Sequence, residues 1–209
     1  MSGSNAQGTV MSSAALERLA TDVFQAAGVA PGVASEWAAA LVWANLRGVD
    51  SHGVLRIQRY VELLQKEAIN RSPRMQLTRR FGAVRVLEAD RAPGPVAMAE
   101  AMRQAIEGAR ELGICWCGAR NITHAGAIGG TTIRAAEAGL AGIVMTASSA
   151  LMAYHGARVS GVSTNPISVA FPRANGTPLL LDMSTSTVAL GKVLSAKVLY
   201  QFLRDLLQM

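Results

Sequence analysis

His52, Arg56 and Tyr60 recur at four-residue spacing within LRGVDSHGVLRIQRY, residues 46–60. A helix starting at about residue 52 would carry all three on one face, with Ser51 as its cap and Gly48 closing the helix before it. Val54, Ile57, Val61 and Leu64 would form the apolar stripe on another face. An arginine so placed grips a carboxylate through two hydrogen bonds, and a histidine beside it exchanges a proton near neutral pH. That is the equipment a 2-oxo or 2-hydroxy acid requires. The same residues also fit a plainer reading, with a capping serine, a histidine bonded to backbone and a solvated arginine face.

Two further positions carry chemistry. His124 falls in the loop NITHAG, residues 121–126, between an expected strand and an expected helix. Loops at that junction hold ligand contacts in α/β proteins, and the adjoining helix N-terminus offers N–H groups to a phosphate. Asp182 follows the apolar run Leu179 to Leu181. It is either a helix cap before Ser184 or a carboxylate that orients and charges His52 by accepting the imidazole N–H. Gly126, Gly129 and Gly130 form only a GxxGG pattern, which fits close helix packing; no GxGxxG follows a strand.

DSHGVLRIQRYVELL resembles the signature of the type-2 malate/L-lactate dehydrogenase family, nicotinamide-dependent oxidoreductases that include ureidoglycolate, sulfolactate and diketogulonate enzymes. NITHAG, and STNPISVAFP through LLLDMSTSTVALGK at 163–192, match in the same order. The resemblance extends to about Lys197. It implies an α/β fold with an N-terminal helical lobe and an NAD(P) site that is not of the Rossmann type. It also implies a homodimer acting on a small 2-oxo or 2-hydroxy acid. By resemblance, either His52 or His124 moves the proton, His52 being preferred, and Asp182 supports His52. Arg56 and Tyr60 then meet the substrate, while Ser148, Asp182, Met183, Ser184 and, more weakly, Lys192 meet NAD or NADP. Ala147 stands where relatives carry Asn beside that serine, removing one potential hydrogen bond. His155 replaces a Trp common in relatives and is read as a loop residue.

These residues need elements to position them. Residues 1–13 are small and polar and are expected to be disordered. A helical lobe is predicted over 14–72. Its first helix runs from Ser13 with Leu16, Leu19, Ala20, Val23, Phe24 and Ala27 on one stripe, ending at Gly28. The second starts after Ser35 with Glu36 in its first turn, and the third follows Ser51. Residues 73–197 read as an incomplete α/β cofactor-binding region. It contains a strand over 83–88, a helix over 95–112 stopped by Gly113, and a strand over 114–118. A helix ending at Gly139 and a strand over 142–146 follow. Ile167–Phe171 and Pro178–Leu181 form a hairpin about Asn175-Gly176, and Thr185 or Ser186 caps a helix bearing Lys192. Asn165-Pro166 fixes the backbone before the hairpin, so Thr164 and Asn165 are read as structural.

Composition sets the class. With 209 residues, half of them hydrophobic, the chain can bury a sizeable core as one domain, or as a domain with a smaller lobe. No apolar run reaches membrane-span length and the N-terminus has no leader pattern, which points to the cytoplasm. The two cysteines, Cys115 and Cys117, flank Trp116 on one strand face and do not form a CxxC pair. A thiolate zinc site is excluded and no metal is expected. Net charge +6 and a pI near 10.0 raise nucleic acid as a partner. Arg71, Arg74, Arg79, Arg80, Arg85 and Arg91 crowd one region, but aromatic content is 5% and no nucleic-acid motif accompanies them. They are read as solvated surface that attracts anionic ligands.

Residues 198–209 read as an atypical amphipathic tail, with Leu199, Phe202, Leu203, Leu206 and Leu207 as its stripe. Relatives continue instead into a part that finishes the cofactor site and the dimer, so a truncation or shifted frame is expected here. The leading reading is hydride transfer between a nicotinamide and a malate- or lactate-like acid. Its alternative is a noncatalytic fragment that binds ligand or self-associates through exposed apolar surface.

Overall fold

A computed structural model describes residues 10–186. Lys192, the helix expected to bear it and the amphipathic stretch from Leu199 lie outside the described residues.

Helix α1, Ser13–Ala26, is capped by Ser12, whose hydroxyl accepts the Ala15 N–H, and Gly28 at φ 86° turns the chain after it. Helix α2, Pro31–Asn45, starts five residues earlier than the expected start after Ser35. Pro31 at the first helical position presets φ and gives up an N–H the helix start does not use. Glu36 therefore sits in the second turn, where it pairs with Arg134. Gly48 at φ 69° ends the α2 segment as expected.

The continuous helix predicted from residue 52 does not form. Asp50–His52 and Val54–Arg56 are two separate 3-10 turns, and helix α3 spans only Ile57–Gln65. Ser51 is not a cap, because its hydroxyl bonds the His52 ring. Gly53 between the turns is extended, at φ −89° and ψ −154°, which breaks the helical path.

Beyond α3, strand β1, Gln76–Phe81, pairs antiparallel with β2, Val84–Glu88. β1 was not legible in the sequence: QLTRRF lacks apolar alternation, and all of it but Leu77 is exposed. β2 runs parallel to β3, Trp116–Arg120, through the crossover helix α4, Gly94–Leu112. Gly113 at φ 82° closes α4 in the left-handed conformation that glycine adopts without strain. Helix α5, Gly129–Glu137, leads to β4, Gly142–Met145, which pairs with the hairpin of β5, Ile167–Phe171, and β6, Leu179–Met183. The described strands thus form two three-stranded sheets, ordered β1-β2-β3 and β4-β5-β6.

Phe24, Trp37, Leu41, Tyr60, Leu64 and Ile69 form the core of the helical region, and Val96 of α4 belongs to it. The helical region therefore shares its core with the α/β part. Arg85 departs from the solvated-surface reading. It is 4% exposed on the inner face of β2, donates to the Gln104 carbonyl and side chain, and pairs with Glu107 and Glu111. Arg71 and Arg91 bond backbone carbonyls of Ala27, Leu64 and Glu67. Much of the basic cluster is thus structural.

Candidate functional site

The two 3-10 turns place His52 and Arg56 where an α-helix would not. His52 Nδ1 lies 2.9 Å from the Ser51 hydroxyl, and Arg56 Nε donates to the Ser51 carbonyl at 2.6 Å. Tyr60 enters from α3, 2% exposed, against Trp37 at 4.8 Å between ring centroids, and Trp37 in turn stacks on Phe24 at 4.2 Å. The Tyr60 hydroxyl reaches His124 Nδ1 at 2.9 Å.

His124 approaches from the other side on the loop after β3. Thr123 braces that loop, its hydroxyl accepting the Gly94 N–H at 3.0 Å and donating to the Ala92 carbonyl at 3.1 Å. A side chain at Gly94 would begin 2.1 Å from the His124 carbonyl, so α4 can meet the loop this closely only with glycine there. The His52 and His124 rings come to 5.5 Å with planes 22° apart. Residues 72 positions apart in sequence thus share one site with Arg56 and Tyr60.

The electrostatics are consistent. Burial first, then the Arg56 charge, holds His52 below its ordinary value. The same two causes, with His52 added, bring His124 down to about 4, although its ring keeps solvent access from a recess. Burial pushes Tyr60 up to about 12, against the opposing pull of Arg56. At neutral pH both imidazoles are therefore neutral and the phenol keeps its proton. Arg56 is left as the cation of the group, and an anion bound beside it would favour protonation of either ring.

Asp182 does not contact His52. Its carboxylate accepts the Gly129 N–H at 2.7 Å and so caps α5, while burial raises its pKa against that bond. The Gly130 and Thr131 N–H groups bond the Ala127 and Ile128 carbonyls. The start of α5 is therefore satisfied within the protein and offers no free phosphate cradle, contrary to the expectation for this helix end. A Cβ at Gly129 would lie 2.8 Å from the Asp182 carboxylate, and one at Gly130 would press on the Trp43 ring at 3.2 Å.

The remaining candidates lie on a hydroxyl-rich strip. Ser148 bonds the buried Ser163, Ser184 bonds Ser186, and Thr185 donates through both its N–H and hydroxyl to the Thr164 carbonyl. Met183 ends β6 beside Asp182 and is 48% exposed. His155 is exposed in the loop before β5. Among the described residues no group of three His, Cys, Asp or Glu could hold a metal ion. Sequence reasoning missed Ser163, Trp43 and Asn45. The signal for Asn45 was Gly53, which faces it.

The chain is similar over most of its length to known proteins. Residues 11–199 match the family model of malate/L-lactate dehydrogenase. Malate dehydrogenase of Pyrococcus abyssi is 42% identical over 153 residues, which are 73% of this chain and 42% of that protein. Ureidoglycolate dehydrogenase (NAD(+)) of Escherichia coli K12 is 36% identical over 75% of this chain and 45% of its own length. The solved malate dehydrogenase of Pyrococcus horikoshii OT3 superposes with a TM-score of 0.84 at 36% identity, covering 88% of this chain and 53% of that one. Sulfolactate dehydrogenase of Methanocaldococcus jannaschii does so at 0.84 and 31%, covering 90% and 54%. The chain belongs to the malate/L-lactate dehydrogenase family and spans about half the length of the relatives it matches.

Proposed function

We propose that this chain carries the acid-binding and proton-transfer half of an NAD- or NADP-dependent 2-hydroxy-acid dehydrogenase with a malate- or lactate-like substrate. The observation that carries the reading is the convergence of Arg56 with two neutral imidazoles, one of them fixed by Tyr60. Arg56 holds the carboxylate of the acid, and its Nε bond to Ser51 fixes the direction of the guanidinium. Both histidines have Nδ1 engaged within the protein, which leaves each Nε2 to face the substrate oxygen. His52, with ordinary basicity better preserved than that of His124, takes the hydroxyl proton during oxidation and returns it during reduction. Tyr60 acts beside the substrate by holding His124, the second imidazole on the same proton path.

Hydride transfer at the nicotinamide C4 is the chemistry the cofactor supplies when bound. The residues present fit its nicotinamide riboside end. The hydroxyls of Ser148 and Ser184 and the Asp182 carboxylate are donors and acceptors suited to a carboxamide or ribose, with Met183 as an apolar neighbour. The filled end of α5 gives no pyrophosphate contact. Asp182 acts by holding α5, and through it the His124 loop. Cytoplasmic location and homodimer formation belong to the same proposal.

The test is a fluorescence titration of NADH and NADPH into the folded chain, followed by oxamate as an unreactive acid. Saturable cofactor binding, weakened by Asp182→Ala, and oxamate binding weakened in Arg56→Ala support the reading. A folded sample that binds neither contradicts it. A second reading, self-association, is favoured by the exposed apolar side chains of the strands, including Trp116, Ile143, Phe171 and Leu181.

A further inference from the structure

We infer that Asn45 is a positioning residue that sets the separation of His52 and Arg56, with Gly53 as the counterpart that lets it do so. The inference rests on the site reading above and adds to it a residue outside the reacting groups.

Asn45 is the last residue of α2, seven positions before His52. Its amide is inserted between the two 3-10 turns. Nδ2 donates to Asp50 Oδ1 at 2.5 Å, which fastens the turn ending at His52. Oδ1 accepts the Val54 N–H at 2.9 Å, which fastens the turn ending at Arg56. Neither turn has a cap from its own preceding residue, Val49 or Gly53, so the Val54 N–H finds its acceptor in Asn45. One planar amide, donating at one end and accepting at the other, thus ties both functional side chains to the end of a packed helix.

Gly53 shows what the amide requires. Its φ of −89° is open to any residue, so backbone conformation does not call for glycine. Space does. A Cβ at Gly53 would lie 2.2 Å from Asn45 Oδ1 and 2.6 Å from Nδ2, with the Asn45 side chain as all three nearest neighbours. The glycine makes room for this amide. Tyr60 fixes His124 independently, from α3. The Asn45 clamp therefore governs His52 and Arg56, and through them their distance from a ring held elsewhere.

This separation of supports gives the test. The chain has three histidines, so proton NMR follows each imidazole as pH is varied. In Asn45→Ala, the His52 midpoint should rise toward 6.5, the ordinary value from which it is lowered, as the turn loosens from its buried, Arg56-facing position. Loss of a cap-like bond should lower the melting temperature by about 2–4 °C. Gly53→Ala should reproduce both changes in the unaltered background and add almost nothing to Asn45→Ala, because the atoms its methyl group meets are then gone. Additive effects of the two substitutions, or an unmoved His52 midpoint in folded Asn45→Ala, would overturn the inference. These readouts use the free chain. Failure of oxamate or cofactor to bind would count against the dehydrogenase reading alone and leave the positioning result standing.

Discussion

The two flanks of the site are held in different ways. On the flank of His52, Arg56 and His124, Tyr60 and Trp37 are buried in an aromatic stack, Asn45 ties both 3-10 turns to α2, and Thr123 and Gly94 brace the His124 loop. On the hydroxyl-lined flank, Asp182 and Ser184 lie at the end of β6, an outer strand of its sheet among the described residues. The outward side chains there, Leu179, Leu181 and Met183, are 58%, 51% and 48% exposed. The first flank is supported from behind by its own core. The second has hydrogen bonds in front and apolar surface without a described neighbour behind it. The proposed acid site thus has its support within the described residues, whereas the proposed cofactor side depends on what covers β6.

The largest effect should come from removing the support of the first flank. Trp37→Ala deletes a fully buried ring against Phe24 and Tyr60 and should cost about 3–5 kcal/mol, a large share of typical domain stability. Circular dichroism should show a strongly lowered melting temperature, and oxamate binding should go with it. A Trp37→Ala chain that bound oxamate normally would show that the aromatic stack does not support the site.

Arg56→Ala tests the charge without disturbing the core. Loss of charge-assisted hydrogen bonds should weaken oxamate by about 10- to 100-fold by calorimetry, with little change in melting temperature. It should also raise the titration midpoints of His52 and His124, since the Arg56 charge lowers both. Unchanged midpoints would place Arg56 away from the rings.

Tyr60→Phe keeps the ring and removes the hydroxyl bonded to His124. It should cost about 1 kcal/mol and broaden the His124 resonance as the imidazole gains freedom. His52, fastened through Asn45, should be little affected.

Trp116→Ser and Leu181→Ser should have the smallest effect on folding, within about 0.5 kcal/mol, because both side chains are about half exposed. Light scattering should nevertheless show less association, since the apolar surface available for contact falls. Association unchanged in both would remove the self-association reading.

The sequence carried the apolar periodicity of α1 and α4, the glycine stops and the β5–β6 hairpin, because these depend on local spacing and backbone preference. The family motifs led to His52, Arg56, Tyr60, His124 and Asp182. Their geometry was less legible. Four-residue spacing implied a helical face, whereas the side chains converge through two 3-10 turns set by a tertiary contact from Asn45. Arg85 looked like one more surface charge, but the β2–β3 pairing turns it inward against α4. Asp182 had two open readings, and the strand end places it at the start of α5 rather than at His52. In each case a partner outside the local spacing pattern decided the outcome, nine residues away for Val54 and 53 for Asp182.

The most direct test of a preformed acid site is the pH titration of the His124 ring in the unaltered chain, with and without oxamate. The His124 ring, near Arg56, should remain neutral until about pH 4 in the free chain. Because the folded ring binds its proton less readily than the unfolded one, stability should fall as pH drops from about 6.5 toward 4. Oxamate, placing a carboxylate beside Arg56, should move the midpoint upward. A free-chain midpoint near 6.5, or a midpoint indifferent to saturating oxamate, would contradict the account.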